Sequence, residues 1–167
     1  MACAAVIFIL AVIIVCVIIV QKKPISQFKK YLKENEFSSS GDTYSRQSKT
    51  EDEDAIGTYT ETYNFKEHTL IATFVQYDRT DETTVEMEYI YNYAEDTVTV
   101  NQYDTAKAKA DGKPDAVYLL NREEMFECVY GDESTAKTEL YSTMLEFKKV
   151  MEKHLEEAGV SLQDIMR

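Results

Sequence analysis

The side chains best suited to catalysis are scarce in this chain of 167 residues. Outside the apolar N-terminal run there are two histidines, His68 and His154, and one cysteine, Cys128. His68 falls in a predicted hairpin turn, and His154 falls on a predicted helix, where a histidine at the surface or its boundary is expected. None of the three has a nucleophile or metal ligand at a spacing typical of a site, and an isolated cysteine is usually a small buried hydrophobic side chain. The sequence therefore predicts no catalytic residue and no cofactor.

Carboxylates are abundant but do not identify a site. The chain has 30 aspartate and glutamate residues, so pairs of carboxylates occur everywhere and do not mark an acid–base centre. The acidic run 51–54 lacks the spaced oxygen ligands and the turn glycine of a calcium loop. We expect a solvated charge run there and predict no metal site.

Tyrosine is the most unusual feature of the composition, with twelve tyrosines and no tryptophan. A tyrosine offers a large contact area with a polar tip, which suits recognition of proteins or glycans. It is also an ordinary strand residue that tolerates half burial, and we favour sheet packing. The candidates for a binding role are the five tyrosines on predicted strands, Tyr59, Tyr63, Tyr89, Tyr91 and Tyr93.

Charge is distributed unevenly along the chain. Up to Phe37 there are five lysines and two glutamates, which give a net charge of +3. The rest of the chain has a net charge of −15, so the whole chain has a net charge of −12. A body this acidic is repelled by phosphates, which argues against nucleic acid as a partner. Basic proteins, cations or neutral ligands are the expected partners.

The N-terminal segment 1–21 is predicted to be a transmembrane anchor. From Ala2 to Val20 the run has no polar or charged side chain, and at about 1.5 Å per residue it reaches about 28 Å, close to the thickness of a bilayer core. A lysine pair, Lys22 and Lys23, follows the run. No cleavage site of a signal peptide is apparent, so we predict a single-pass signal-anchor protein bound to the lipid bilayer.

The orientation of this anchor is predicted from the positive-inside rule. Five lysines follow the run, which places the soluble domain in the cytoplasm. The alternative is an extracytoplasmic domain, since many exported anchored domains carry their lysines ahead of the span.

Three further regions are predicted after the anchor. Residues 22–37 have the apolar spacing of a juxtamembrane amphipathic helix, with Ile25, Phe28 and Leu32 on one side and lysines between them. Residues 38–54 contain no aliphatic side chain and are predicted to be a flexible polar linker. Residues 55–167 are predicted to form a soluble α+β domain.

Period-two alternation predicts the sheet of this domain. β-branched and aromatic residues alternate with polar ones, and short polar stretches separate the segments, which indicates an antiparallel β-meander of about five strands. The segment 121–130 fits either a strand or a helical turn, and we favour a strand. The predicted strands occupy 58–65, 69–77, 84–93, 97–103 and 116–120.

The C-terminus is predicted to be an amphipathic helix that packs against this sheet. Its apolar residues recur at intervals of three or four, and Gly159 is predicted to end it. The apolar stripe consists of Leu140, Met144, Phe147, Met151 and Leu155.

Two hypotheses for function remain. The first is a non-enzymatic binding or assembly domain held near the membrane, with a protein partner, and we favour it. The alternative is a membrane-tethered enzyme whose site is not visible in sequence. A sheet face left uncovered by the C-terminal helix would favour binding, and carboxylates converging on His68 or Cys128 would favour catalysis.

Overall fold

The fold is an antiparallel sheet of eight strands with its two longest helices packed on one face. The computed structural model describes residues 24–104, 106–132 and 137–166. Every strand pairs with the next one along the chain, so the sheet is a simple meander. The strands are β1 (Ser38–Ser40), β2 (Thr43–Glu51), β3 (Ala55–Asn64), β4 (Thr69–Asp78), β5 (Thr84–Asn92), β6 (Thr97–Tyr103), β7 (Ala116–Leu120) and β8 (Phe126–Tyr130). The helices are α1 (residues 24–34), α2 (Ala106–Asp111), α3 (Lys137–Ala158) and α4 (Leu162–Ile165).

Asparagine side chains close two of the hairpins. The Asn64 carboxamide oxygen accepts hydrogen bonds from the backbone N–H groups two and three residues on, and Asn92 repeats this arrangement after β5. Such turns replace ladder hydrogen bonds with local ones and allow the chain to reverse within a few residues. His68 ends the first of these turns at a positive φ of 54°.

The core lies between one face of the sheet and the helices α1 and α3. Alternate residues of six neighbouring strands form two rows across this face, and nearly all of their side chains are buried. The first row is Tyr44, Tyr63, Leu70, Tyr91, Val98 and Leu120, and the second is Arg46, Glu61, Ala72, Tyr89, Val100 and Tyr118. The apolar stripe of α3 is buried against them, and from α1 Phe28 and Leu32 are fully buried.

The predicted count of about five strands is wrong, although the antiparallel arrangement is confirmed. The sheet gains β8 from the ambiguous segment and gains β1 and β2 from the region predicted to be a flexible linker, 38–54. The linker prediction failed because it relied on the absence of aliphatic residues. Strand β2 instead buries Tyr44, and its hydroxyl and amide side chains pair across to β3, as in the 2.9 Å contact between Ser45 Oγ and Thr62 Oγ1.

The core also begins earlier than the predicted boundary at residue 55. Helix α1 lies within the predicted amphipathic segment 22–37, but its apolar side is directed to the sheet: the ring centroids of Phe28 and Tyr63 lie 5.3 Å apart in an edge-on arrangement. Phe37 is buried in the same cluster. The region before residue 55 therefore contributes to the same core as the sheet and α3.

The predicted transmembrane helix and single-pass membrane location are not supported by the structure. Within the described ranges, no helix combines the length and the apolar character that crossing a bilayer requires. The longest, α3, carries charged side chains along its exposed side. The predicted anchor from Ala2 to Val20, with Lys22 and Lys23, lies outside the described residues. The single-pass membrane location and the cytoplasmic topology that were predicted from this anchor are not supported by the described residues.

Candidate functional site

A buried polar cluster connects strand β3 to helix α3. Glu61 is fully buried in the second core row, and His154 of α3 is only 7% exposed. The Tyr63 hydroxyl lies 2.7 Å from His154 Nδ1, and Glu61 Oε1 lies 3.3 Å from the same nitrogen. Arg46 completes the cluster from β2, with its Nε and Nη2 donating to Glu61 Oε2 at 3.1 and 2.9 Å.

Burial determines the protonation of this cluster. Removal from water, with a smaller contribution from the Arg46 charge, lowers the pKa of His154 to about 4, so the imidazole is neutral at pH 7. Burial raises the pKa of Glu61, and the Arg46 guanidinium opposes that effect. Burial also raises the pKa of Tyr63 well above its usual value, so this hydroxyl keeps its proton.

Aromatic rings cover the buried part of the cluster, whereas the Arg46 side chain at its border is 36% exposed. The Phe37 ring packs edge-on against His154, and the Arg46 guanidinium lies 4.6 Å from the centre of the same ring. Tyr31 of α1 approaches His154 from another side at 5.8 Å between ring centres. A substrate would have to displace these rings to reach the imidazole. The geometry therefore indicates a structural role for the cluster.

The prediction that His154 lies at the surface or its boundary is wrong, and Glu61 was missed altogether. Position 154 follows Met151 by three residues, which widens the buried side of α3 beyond the five-residue stripe. Glu61 falls between Tyr59 and Tyr63 in the alternation of β3, so its carboxylate must be on the core face. A carboxylate at an apolar position of an alternating strand was the signal that could have revealed it.

The same face of the sheet continues beyond the helices as an exposed surface. Two further rows follow the core rows toward the β2–β3 and β4–β5 hairpins, and their side chains are half-buried or exposed. We call this surface the open shelf. Its residues are Ser48, Tyr59, Phe74 and Met87 in the third row and Thr50, Gly57, Gln76 and Val85 in the fourth.

Phe74 is the centre of the open shelf. It is 45% exposed, and nearby Val85 is 39% exposed. The ring of Phe74 lies 4.7 Å from that of half-buried Tyr59 and 5.7 Å from that of buried Tyr89, which in turn contacts Phe147 of α3. An aromatic series thus runs from the hydrophobic core onto the open shelf.

The five candidate tyrosines occupy different environments. Tyr63, Tyr89, Tyr91 and Tyr93 are buried in the core, whereas Tyr59 lies in the open shelf. Burial, with the nearby Glu61 charge, raises the pKa of Tyr59 to about 12, so its hydroxyl is neutral. Of the predicted set, Tyr59 alone is available to a ligand in this arrangement.

The remaining candidates for chemistry lie apart from one another. His68 packs edge-on against Tyr93 at the β3–β4 turn, and Cys128 lies half-buried on β8. In the part of the chain that the structure describes, no three histidine, cysteine or acidic side chains are grouped so that they could hold a metal ion. The converging carboxylates that would favour catalysis at His68 or Cys128 are not found among these residues.

Comparison of the chain with known protein families, with curated proteins and with solved structures finds no significant match.

Proposed function

We propose that this protein is a non-enzymatic binding or assembly domain whose binding surface is the open shelf. The observation that carries the proposal is the exposure of Phe74 at the end of an aromatic series that starts in the core. An exposed aromatic ring on a sheet face is costly to leave in water, and exposed apolar surface with a polar border is typical of interaction sites.

The strands that carry the shelf residues also favour a binding role. Tyr59 and Met87 flank Phe74 from neighbouring strands, and the register of β3, β4 and β5 fixes their spacing. Strand-borne aromatic side chains lose little conformational entropy when a partner covers them. Polar groups at the border of the apolar centre, such as Gln76, can orient a partner by hydrogen bonds.

A peptide selection tests this proposal. Random peptides would be selected for binding to the full chain, and the affinity of the enriched peptides would be measured for the wild type, Phe74→Ser and Met125→Ser. Met125 is a matched control because it is 60% exposed and lies in the β7–β8 turn, away from the open shelf. Circular dichroism would establish that both variants fold.

We expect Phe74→Ser to weaken binding by about tenfold or more, since burial of a phenylalanine side chain contributes about 1.5–3 kcal/mol. Met125→Ser should change the affinity by less than about twofold, because no shelf contact is lost. Enriched peptides that bind Phe74→Ser as well as the wild type would overturn the proposal. A selection that enriches no peptide would do the same.

A further inference from the structure

Two acidic hairpins border the open shelf. Residues 51–54 end β2 and lead into β3, and residues 78–82 end β4 and lead toward β5, both next to the fourth row of the shelf. Together they carry seven acidic side chains and one basic side chain, Arg79. We call these nine residues, 51–54 and 78–82, the acidic rim.

Arg79 pairs with only one carboxylate of the rim, and its hydrogen bonds connect the two hairpins. Its guanidinium pairs with the Glu51 carboxylate and donates to the backbone carbonyl oxygen of Asp52 at 2.9 Å. Its backbone N–H donates to the carbonyl oxygen of Asp54 at 2.8 Å. The six other acidic side chains form no ion pair with any described residue. Three of them, Asp52, Asp78 and Asp81, accept hydrogen bonds within their own turns but keep their negative charge.

We propose that the open shelf binds a basic, amphipathic polypeptide segment of a partner protein. This inference rests on the proposed function and adds the chemistry of the partner. An apolar side chain of the segment covers Phe74 and Val85, and lysine or arginine side chains on its border reach the acidic rim. Complementary charges of this kind accelerate association and select among partners.

The form and charge of the surface argue against other partners. Small molecules bind in enclosed clefts that bury most of their surface, whereas the shelf extends across four strands and is open. The negative rim repels the phosphates of nucleic acids and of anionic lipid headgroups. The second core row adjoins the shelf and contains one cation, Arg46. Its guanidinium is already paired with Glu61 and so does not offset this repulsion.

Three synthetic peptides of equal length test the inference. They share their apolar residues and carry lysine, glutamine or glutamate at the polar positions. Their affinities would be measured for the full chain at about 50 mM and about 500 mM NaCl, since added salt screens exposed charges. We expect the lysine peptide to bind about tenfold or more tighter than the glutamine peptide at low salt and to lose most of this advantage at high salt.

Charge-reversal variants separate the rim from the overall charge. The rim variant is Glu53→Lys with Glu82→Lys. The control variant, Glu67→Lys with Glu95→Lys, makes the same change of four charge units in the β3–β4 and β5–β6 turns, at the opposite ends of the strands. The side chains of Glu53 and Glu82 make no hydrogen bond to a described residue, so the rim variant should fold. We expect the rim variant to weaken the lysine peptide about tenfold and the control variant to weaken it less than about threefold.

The outcomes distinguish failure of the inference from failure of the proposed function. If all three peptides bind equally and Phe74→Ser weakens each of them, the shelf is a binding surface but its partner is not basic. If the rim and control variants weaken the lysine peptide equally, only net charge acts and the inference is overturned. If Phe74→Ser affects none of the peptides while the lysine peptide binds, the proposed function fails as well.

Discussion

The Tyr63 hydroxyl and His154 Nδ1 lie 2.7 Å apart, and this contact joins strand β3 to the C-terminal half of helix α3. Both side chains are buried, so neither can exchange this partner for water. A buried polar group that loses its partner retains the full cost of desolvation. The pair therefore constrains where α3 crosses the sheet, and with it how much of the face is left as the open shelf.

Replacement of Tyr63 by phenylalanine should lower stability measurably. The variant keeps the ring but leaves His154 Nδ1 without the hydroxyl, and we expect the free energy of unfolding to fall by about 1–3 kcal/mol. Urea denaturation monitored by circular dichroism measures this. The matched control is Tyr59→Phe, because the Tyr59 hydroxyl makes no hydrogen bond to another described residue; its change should stay within about 0.5 kcal/mol. Equal effects of the two variants would contradict the role given to the contact.

Periodicity alone predicted the elements with long apolar patterns. The stripe of α3 and the alternation of β3 to β7 place apolar side chains on one side, and burial of that side is sufficient to locate the element. Strands β1 and β2 were missed because Ser, Thr and Gln side chains bond across strands without an apolar pattern. Tyr44 and Arg46 were the two residues of β2 that could have indicated a buried face.

The candidate site could not be predicted in the same way. Whether Phe74 or Ala72 is covered depends on where α1 and α3 cross the sheet, and both residues occupy equivalent positions in the alternation of β4. The acidic run at 51–54 is visible in the sequence, but its proximity to the run at 78–82 follows from the pairing of β3 with β4. Long-range geometry of this kind leaves no signal in local spacing.

Removal of the Arg46 charge should destabilise the fold through Glu61. In Arg46→Met the fully buried Glu61 carboxylate loses the guanidinium that bonds its Oε2, and we expect a loss of about 3 kcal/mol in the free energy of unfolding. The double variant Arg46→Met with Glu61→Met buries no charge and should recover at least about 2 kcal/mol of that loss. Urea denaturation of both variants supplies the comparison.

A surface ion pair provides the control for Arg46. Lys30 and Glu34 lie 3.5 Å apart on the exposed side of α1, and Lys30→Met should change stability by less than about 0.5 kcal/mol. If Arg46→Met were as mild as Lys30→Met, the Arg46–Glu61 pair would not be stabilising. If the double variant were no more stable than the single one, the unpaired carboxylate would not be the cause.

Stability should fall as the solution is acidified toward pH 5, because His154 is buried in its neutral form. The pKa of His154 is about 4 in the fold, against an ordinary value of 6.5. Between these values the unfolded chain binds the proton and the folded chain does not, so stability is present above pH 6.5 and is lost as the pH falls toward 4. From pH 7 to pH 5 this amounts to about 2 kcal/mol. Urea denaturation at the two pH values measures the change.

Glu61 opposes this pH dependence, and the sign of its effect can be separated experimentally. Because burial raises the pKa of Glu61, the folded chain binds that proton at a higher pH than the unfolded chain, which restores some stability on acidification. In Glu61→Gln this contribution is absent, so the loss of stability from pH 7 to pH 5 should be larger than in the wild type.

The His154 imidazole can be followed directly by NMR in His68→Gln, where His154 is the only histidine. Two results together would contradict the burial of His154: a titration midpoint near 6.5 in this variant and a wild-type stability that does not change with pH. They would show that water reaches the imidazole past the rings of Phe37 and Tyr31.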